Sequence, residues 1–133
     1  MLLATCVAAA DSTLSASSAW IRAIPGSDVA AAYLTLHNGG AAAVTVIGVR
    51  CPLAATAMIH ETQLHGTQSS MRARETLALA PGATVVFAPG GLHVMLEGLA
   101  HALAPGEEVP LVLLFADGRS LTVSARVRAP TEP

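Results

Sequence analysis

Aromatic residues are scarce in this chain: Trp20, Tyr33, Phe87 and Phe115 make up 3% of its 133 residues. A core with so few rings must be filled by Val, Leu, Ile and Ala, which suits a thin two-layer β-sandwich. Charge is scarce too. Charged residues are 12% against 53% hydrophobic, with a formal charge of −2 and a pI near 6.2. No basic patch is large enough to neutralise several phosphates, so nucleic-acid binding is excluded. No apolar run is both long enough and free enough of Gly, Pro and charge to span a bilayer as a helix. No amphipathic helical stretch is present, and neither a Ser-His-Asp order nor a carboxylate pair suggests a hydrolase. The length leaves room for one domain and one core.

There are two cysteines. Cys6 lies in the apolar start MLLATCVAAA, whose Ala8 and Ala10 form an A-x-A cleavage pattern before Asp11. That start reads as the remnant of an export signal lacking its positively charged part, and a soluble, exported protein is expected. The run Leu3-Ala4-Thr5-Cys6 also resembles a bacterial lipoprotein signal, with Thr5 unusual before the cysteine, which makes a lipid anchor the alternative. If Cys6 leaves with the signal, Cys51 is alone and reads as a small buried side chain; if it stays, a Cys6–Cys51 bridge is open.

Residues 1–18 are expected to be signal remnant and flexible lead-in, 19–128 the folded domain and 129–133 a short tail. Strands are expected at Trp20–Ala23, Ala30–His37 and Ala43–Val49, the last two pairing as a hairpin across Asn38-Gly39-Gly40. A strand over Ala57–Glu61 follows, then a polar loop from Thr62 to Ser70. Met71–Glu75 leads into Leu77–Ala80, and Thr84–Ala88, Leu92–Leu96, Val109–Phe115 and Leu121–Val127 complete the set. Pro25-Gly26-Ser27-Asp28, Pro81-Gly82, Pro89-Gly90-Gly91 and Pro105-Gly106 punctuate them, and Asp117-Gly118 is the strongest hairpin signal. The pattern is that of an all-β, Greek-key β-sandwich of about eight short antiparallel strands.

Two imidazoles and two thioethers stand out inside this plain β-domain: His60, ten residues, Met71, twenty-one residues, His93, one residue, Met95. Copper(I) is soft and accepts low coordination numbers, so thioether sulfur and neutral imidazole suit it, whereas hard cations take carboxylates. A thioether also needs no deprotonation and survives thiol exchange outside the cytosol. His93 and Met95 fall on one side of an extended segment, and the Pro89-Gly90-Gly91 break lets backbone and metal approach closely. Each residue has an ordinary alternative. Methionine usually fills cores, as Met95 could between Val94 and Leu96, but Ser69, Ser70, Arg72 and Arg74 make a poor core context for Met71.

Met58, two residues before His60 and on its face, is expected to pack in the core, with a spare thioether as the alternative. His65 reads as a solvated loop residue that could assist capture, and His37 and His101 as surface residues. Glu61 and Glu97 read as solvated, with the alternative of orienting the imidazoles as acceptors.

With this spacing the chain resembles the periplasmic copper chaperones called PCuAC, whose signature is that same order and spacing of His, Met, His and Met. The surroundings resemble them too: Ala19-Trp20-Ile21-Arg22-Ala23, Ala31-Ala32-Tyr33, Ile59-His60-Glu61-Thr62, Met71-Arg72 and Gly90 to Leu99. The resemblance covers roughly Trp20 to Val127. It implies a cupredoxin-like β-sandwich that is not an enzyme, a monomer binding one copper(I) at an exposed edge through His60, Met71, His93 and Met95. It also implies delivery to cytochrome c oxidase assembly, chiefly the CuA centre of subunit II, with a thiol-bearing copper assembly protein as a further candidate partner. Some members add a His- and Met-rich tail that binds copper(II); none precedes Pro133, so that second site is not expected. The runner-up readings are a metal-free structural or adhesive sandwich and an electron-transfer cupredoxin. The last needs a Cys beside two His and an axial Met, and no Cys lies near His93 or Met95.

Overall fold

Ten strands and no helix occur in the described residues, 13–24 and 26–129, of a computed structural model. They are β1 Leu14–Ala23, β2 Val29–Asn38, β3 Val44–Arg50, β4 Ala54–His65, β5 Gln68–Ala73, β6 Leu77–Leu79, β7 Thr84–Val86, β8 Leu92–Leu99, β9 Glu108–Phe115 and β10 Ser120–Arg128. The expected signal remnant with Cys6, together with Pro25 and residues 130–133 of the tail, lies outside the described residues.

Hydrogen bonding orders the strands β5-β4-β8-β2-β1-β10-β9-β3-β6, with β7 on β2. The sheet bends over so that β4, β8, β2 and β1 face β10, β9, β3 and β6 across an apolar core, to which β5 contributes no residue. Alternation does the sorting. Along β2, Ala30, Ala32, Leu34 and Leu36 point inward; along β9, Val109, Leu111 and Leu113 meet them from the other layer, all nearly or wholly inaccessible. Each such Leu contributes about 2–3 kcal/mol by leaving water. Phe87 and Phe115 are buried as well, and Leu and Val supply most of the rest.

The all-β sandwich is as the sequence suggests, but four details differ. The strands number ten because the stretch from Met71 to Ala80 splits into β5 and β6, which pair with β4 and β3 at opposite ends of the sheet. One pair is parallel: β1 and β10 join side by side, Trp20 opposite Arg126 through Arg22 opposite Arg128.

β2 and β3 do not form a hairpin. Asn38 closes β2 and turns the chain across to the other layer, because its side chain is claimed by carbonyls of Ala42, Leu79 and Ala80 rather than by a tight turn. The strand β1 also begins at Leu14, earlier than the polar composition of 11–18 suggests. Leu14 is buried, and Ser15 to Ser17 pair with His37 to Thr35.

A bulge inside β1 bears on the site below. Ser18, at φ 55°, and Ala19 together oppose Leu34, which shifts the register so that Trp20 stands opposite Tyr33. Their rings lie 4.6 Å apart. At the other end of the fold the Asp117-Gly118 hairpin is present. Gly118 takes φ 94°, and the Phe115 N–H donates to the Arg119 carbonyl at 2.9 Å.

Candidate metal centre

The register of β4 against β8 sets His60 opposite His93 and Met58 opposite Met95. Side chains two apart share a face, so these four stand together on the outer face of the layer, while Ile59, Val94 and Leu96 fill the core behind them. β5 adds Met71 opposite Thr62, hence on the same face and diagonal to His60. His60, Met71, His93 and Met95 are thereby brought onto three adjacent strands, together with Met58.

Met71 belongs to this face because Thr62–Ser70 is not a loop. It forms the arms of a β4–β5 hairpin turning at Gly66-Thr67, with Gly66 at φ 67°. Every described side chain of β5 is exposed, so this arm of the ribbon carries no alternation of buried and exposed residues.

The imidazoles are held with nitrogens to spare. His60 and His93 rings lie edge to face, 5.8 Å between centroids. Nδ1 of His93 sits 3.2 Å from the Gly91 carbonyl. A carbonyl only accepts, so the proton is on Nδ1 and the lone pair on Nε2. That Nε2 is buried and has no hydrogen-bond partner, and neither has Nδ1 of His60. A buried polar atom left without a partner costs about 1–3 kcal/mol. Two facing one ladder position are uncommon in a native fold and call for a ligand.

Among the described residues no group of three or more His, Cys, Asp or Glu could hold a metal ion. The other side chains of soft-donor type on this face are thioethers. Met71 is 59% exposed and Met58 is 44% exposed, while Met95 is half-buried. The outward position of Met58 overturns its expected core packing. Two neutral imidazoles with thioethers make a site for a soft ion of low charge.

Beside His93, on the neighbouring strand β2, stands Tyr33, its ring 6.5 Å away and the Trp20 ring beyond it. Burial pushes the Tyr33 hydroxyl pKa up, with Arg22 partly offsetting it. Arg128 lies over Trp20 at 4.2 Å. Sequence reasoning missed this wall; the only signal was a pair of rare aromatics in a chain short of them.

Glu61, His37 and His101 are otherwise engaged. Glu61, an alternative partner for His60, takes the other face of β4 and binds Arg74 at 2.8 Å. Glu97 is exposed; the acceptor that orients His93 is a backbone carbonyl instead. His37 meets the Thr84 hydroxyl at 2.8 Å and His101 the Glu107 carboxylate at 2.7 Å. His65 ends β4 rather than lying in a loop. Among the described residues Cys51 is a free thiol, buried in the β3–β4 connection, and burial raises its pKa, which disfavours the thiolate a blue-copper centre requires.

Residues 14–127 match the family described as "Putative lipoprotein LpqE-like". "Putative lipoprotein Lxx21020" of Leifsonia xyli subsp. xyli (strain CTCB07) is 33% identical over 113 residues, 84% of this chain and 68% of that protein. The chain belongs to the LpqE-like family. Solved structures extend the relationship of this LpqE-like protein. The copper-bound PCuAC domain from PmoF2 shares its fold, with a TM-score of 0.74 over 89% of this chain and 94% of that one at 24% identity. The copper(I) form of DR1885 from Deinococcus radiodurans is 33% identical, with a TM-score of 0.55 over 86% of this chain and 77% of that one.

Proposed function

We propose that this protein is a copper(I) chaperone that holds one ion through His60, Met71, His93 and Met95 and performs no turnover. The observation that carries the reading is the pair of buried, unpartnered imidazole nitrogens on opposed ladder positions, flanked on the same face by thioethers. The copper-bound state named for two structural relatives, one of them 33% identical, points the same way. Neutral donors leave the ion's positive charge uncompensated, so copper is held firmly enough to carry and loosely enough to hand over.

The lipoprotein names of the family and of the Leifsonia relative support an exported protein. In this reading it works in the periplasm, with Cys6 of the Leu3-Ala4-Thr5-Cys6 run as a candidate lipid attachment point. Its cargo goes to the CuA centre of cytochrome c oxidase subunit II, directly or through a thiol-bearing assembly protein.

The test is an anaerobic copper(I) competition titration against a chromophoric chelator, with the Met71→Leu/Met95→Leu double variant in parallel. One equivalent bound by the parent and lost by the variant is expected. Equal binding by both, or none by either, would hand the fold back to a metal-free structural role.

A further inference from the structure

The outer face of the β4–β8 ladder carries one thioether more than the spacing of His60, Met71, His93 and Met95 uses. Met58 is 44% exposed although its neighbour Ile59 is only 4% exposed, so it fills no core space. It stands opposite Met95 and two residues from His60, in the next row on the same face as the imidazole pair. It also lines an open groove of 690 Å³ between the edges of β3 and β4, with Val49, Cys51, Pro52, Ala55 and Val112. Met71 lies on the other side of His60, and it too is exposed. The donors therefore divide. His93 is buried and Met95 half-buried, both on β8, while the two exposed thioethers flank the imidazole pair from opposite sides.

We propose that Met58 is a fifth copper(I) donor, which takes the ion on the groove side when Met71 releases it. This rests on the copper(I) reading of the site and adds a direction to the handover. In the exchange the Met58 Sδ–copper bond forms as the Met71 Sδ–copper bond breaks; copper stays in the +1 state, and no proton moves because a thioether carries none. The long, unbranched methionine side chain gives the reach and the rotamer freedom this needs. Copper then keeps its β8 donors while the hairpin side of the site opens to an incoming ligand.

The experiment uses protein labelled with ¹³C in the methionine methyl groups, titrated anaerobically with copper(I) alone. Parent, Met58→Leu, Met71→Leu and the double variant are compared, with circular dichroism to verify the fold. Met→Leu conserves volume, and both positions are exposed, so all four proteins should fold. Copper(I) is expected to shift the Met58 methyl resonance in Met71→Leu and to broaden it by exchange in the parent. Removing Met58 should weaken binding on the order of tenfold in the Met71→Leu background and less in the parent, as for coupled neighbours. A Met58 resonance that stays put in Met71→Leu while Met95 responds, with the double variant binding as Met71→Leu does, would overturn this inference alone. A parent whose methionine methyls all ignore copper(I) would overturn the chaperone reading and Met58 with it.

Discussion

Two regions of this fold bury polar side chains beneath strands that are otherwise apolar, and they treat them in opposite ways. At the corner after β2, Asn38 is 1% exposed and fully engaged. Its amide nitrogen reaches the carbonyls of Ala42, Leu79 and Ala80, and its oxygen accepts from the Gly40 N–H at 3.0 Å. On the β4–β8 ladder, His93 is 4% exposed and half engaged, with one nitrogen on Gly91 and the other on nothing. A buried polar group whose partners are all within the chain stabilises the fold. One that keeps a lone pair open costs stability until something outside the chain fills it.

The largest effect that contrast predicts is at the corner. Asn38→Ala leaves the Gly40 N–H and the Ala42 and Leu79 carbonyls without their side-chain partner, at about 1 kcal/mol each, so about 3 kcal/mol of stability should go. Urea unfolding of the copper-free protein measures it, as a lower midpoint at unchanged slope. A loss under about 1 kcal/mol would mean that water replaces the amide, and that the corner is not the locked region its hydrogen bonds describe.

The corner was also the place where sequence was least informative. Asn38-Gly39-Gly40 between two β-branched runs reads as a hairpin turn, and the carbonyls that make it a crossover belong to residues 41 and 42 positions further along. No local pattern contains them. The ladder was more legible, because period-two alternation alone puts Met58 beside His60 and Met95 beside His93. What alternation could not say is which face is outward. Ile59 and Val94 settle that by burial, and with it Met58 leaves the core. Met71 was identified by spacing and by its polar surroundings, yet the hairpin that delivers it read as a loop, since a strand exposed along its whole length has no hydrophobic period to show.

The second effect is smaller and turns on what remains after an imidazole is removed. In His93→Leu the Gly91 carbonyl still accepts from the Thr62 N–H at 3.1 Å, and the unpartnered Nε2 is gone. Leucine has a similar volume, so the copper-free protein should stay within about 1 kcal/mol of the parent, in contrast to Asn38→Ala. Copper(I) affinity should meanwhile fall on the order of 100-fold, since even partners outside the coordination sphere are worth 10–100-fold to a metal site. A large loss of stability with copper binding intact would reverse the two regions' roles.

The smallest effect tests whether engagement, rather than the presence of an imidazole, marks off the histidines we propose as copper(I) donors. His101 is paired with Glu107, on a solvent-exposed loop between β8 and β9. The Ala104 N–H and then His101 hold the Glu107 carboxyl below the usual glutamate range. A depressed carboxylate pKa contributes stability that is present above the ordinary value and lost as pH falls through the lowered one. The parent's melting temperature should therefore drop slightly more than that of Glu107→Gln between about pH 5 and 3. The difference should be small, because both partners are open to solvent. His101→Gln should bind copper(I) within about twofold of the parent, a change too small to register as a lost donor. A loss comparable to that of His93→Leu would show that a histidine with a partner can still hold the metal, and the open nitrogens of the ladder would no longer distinguish the site.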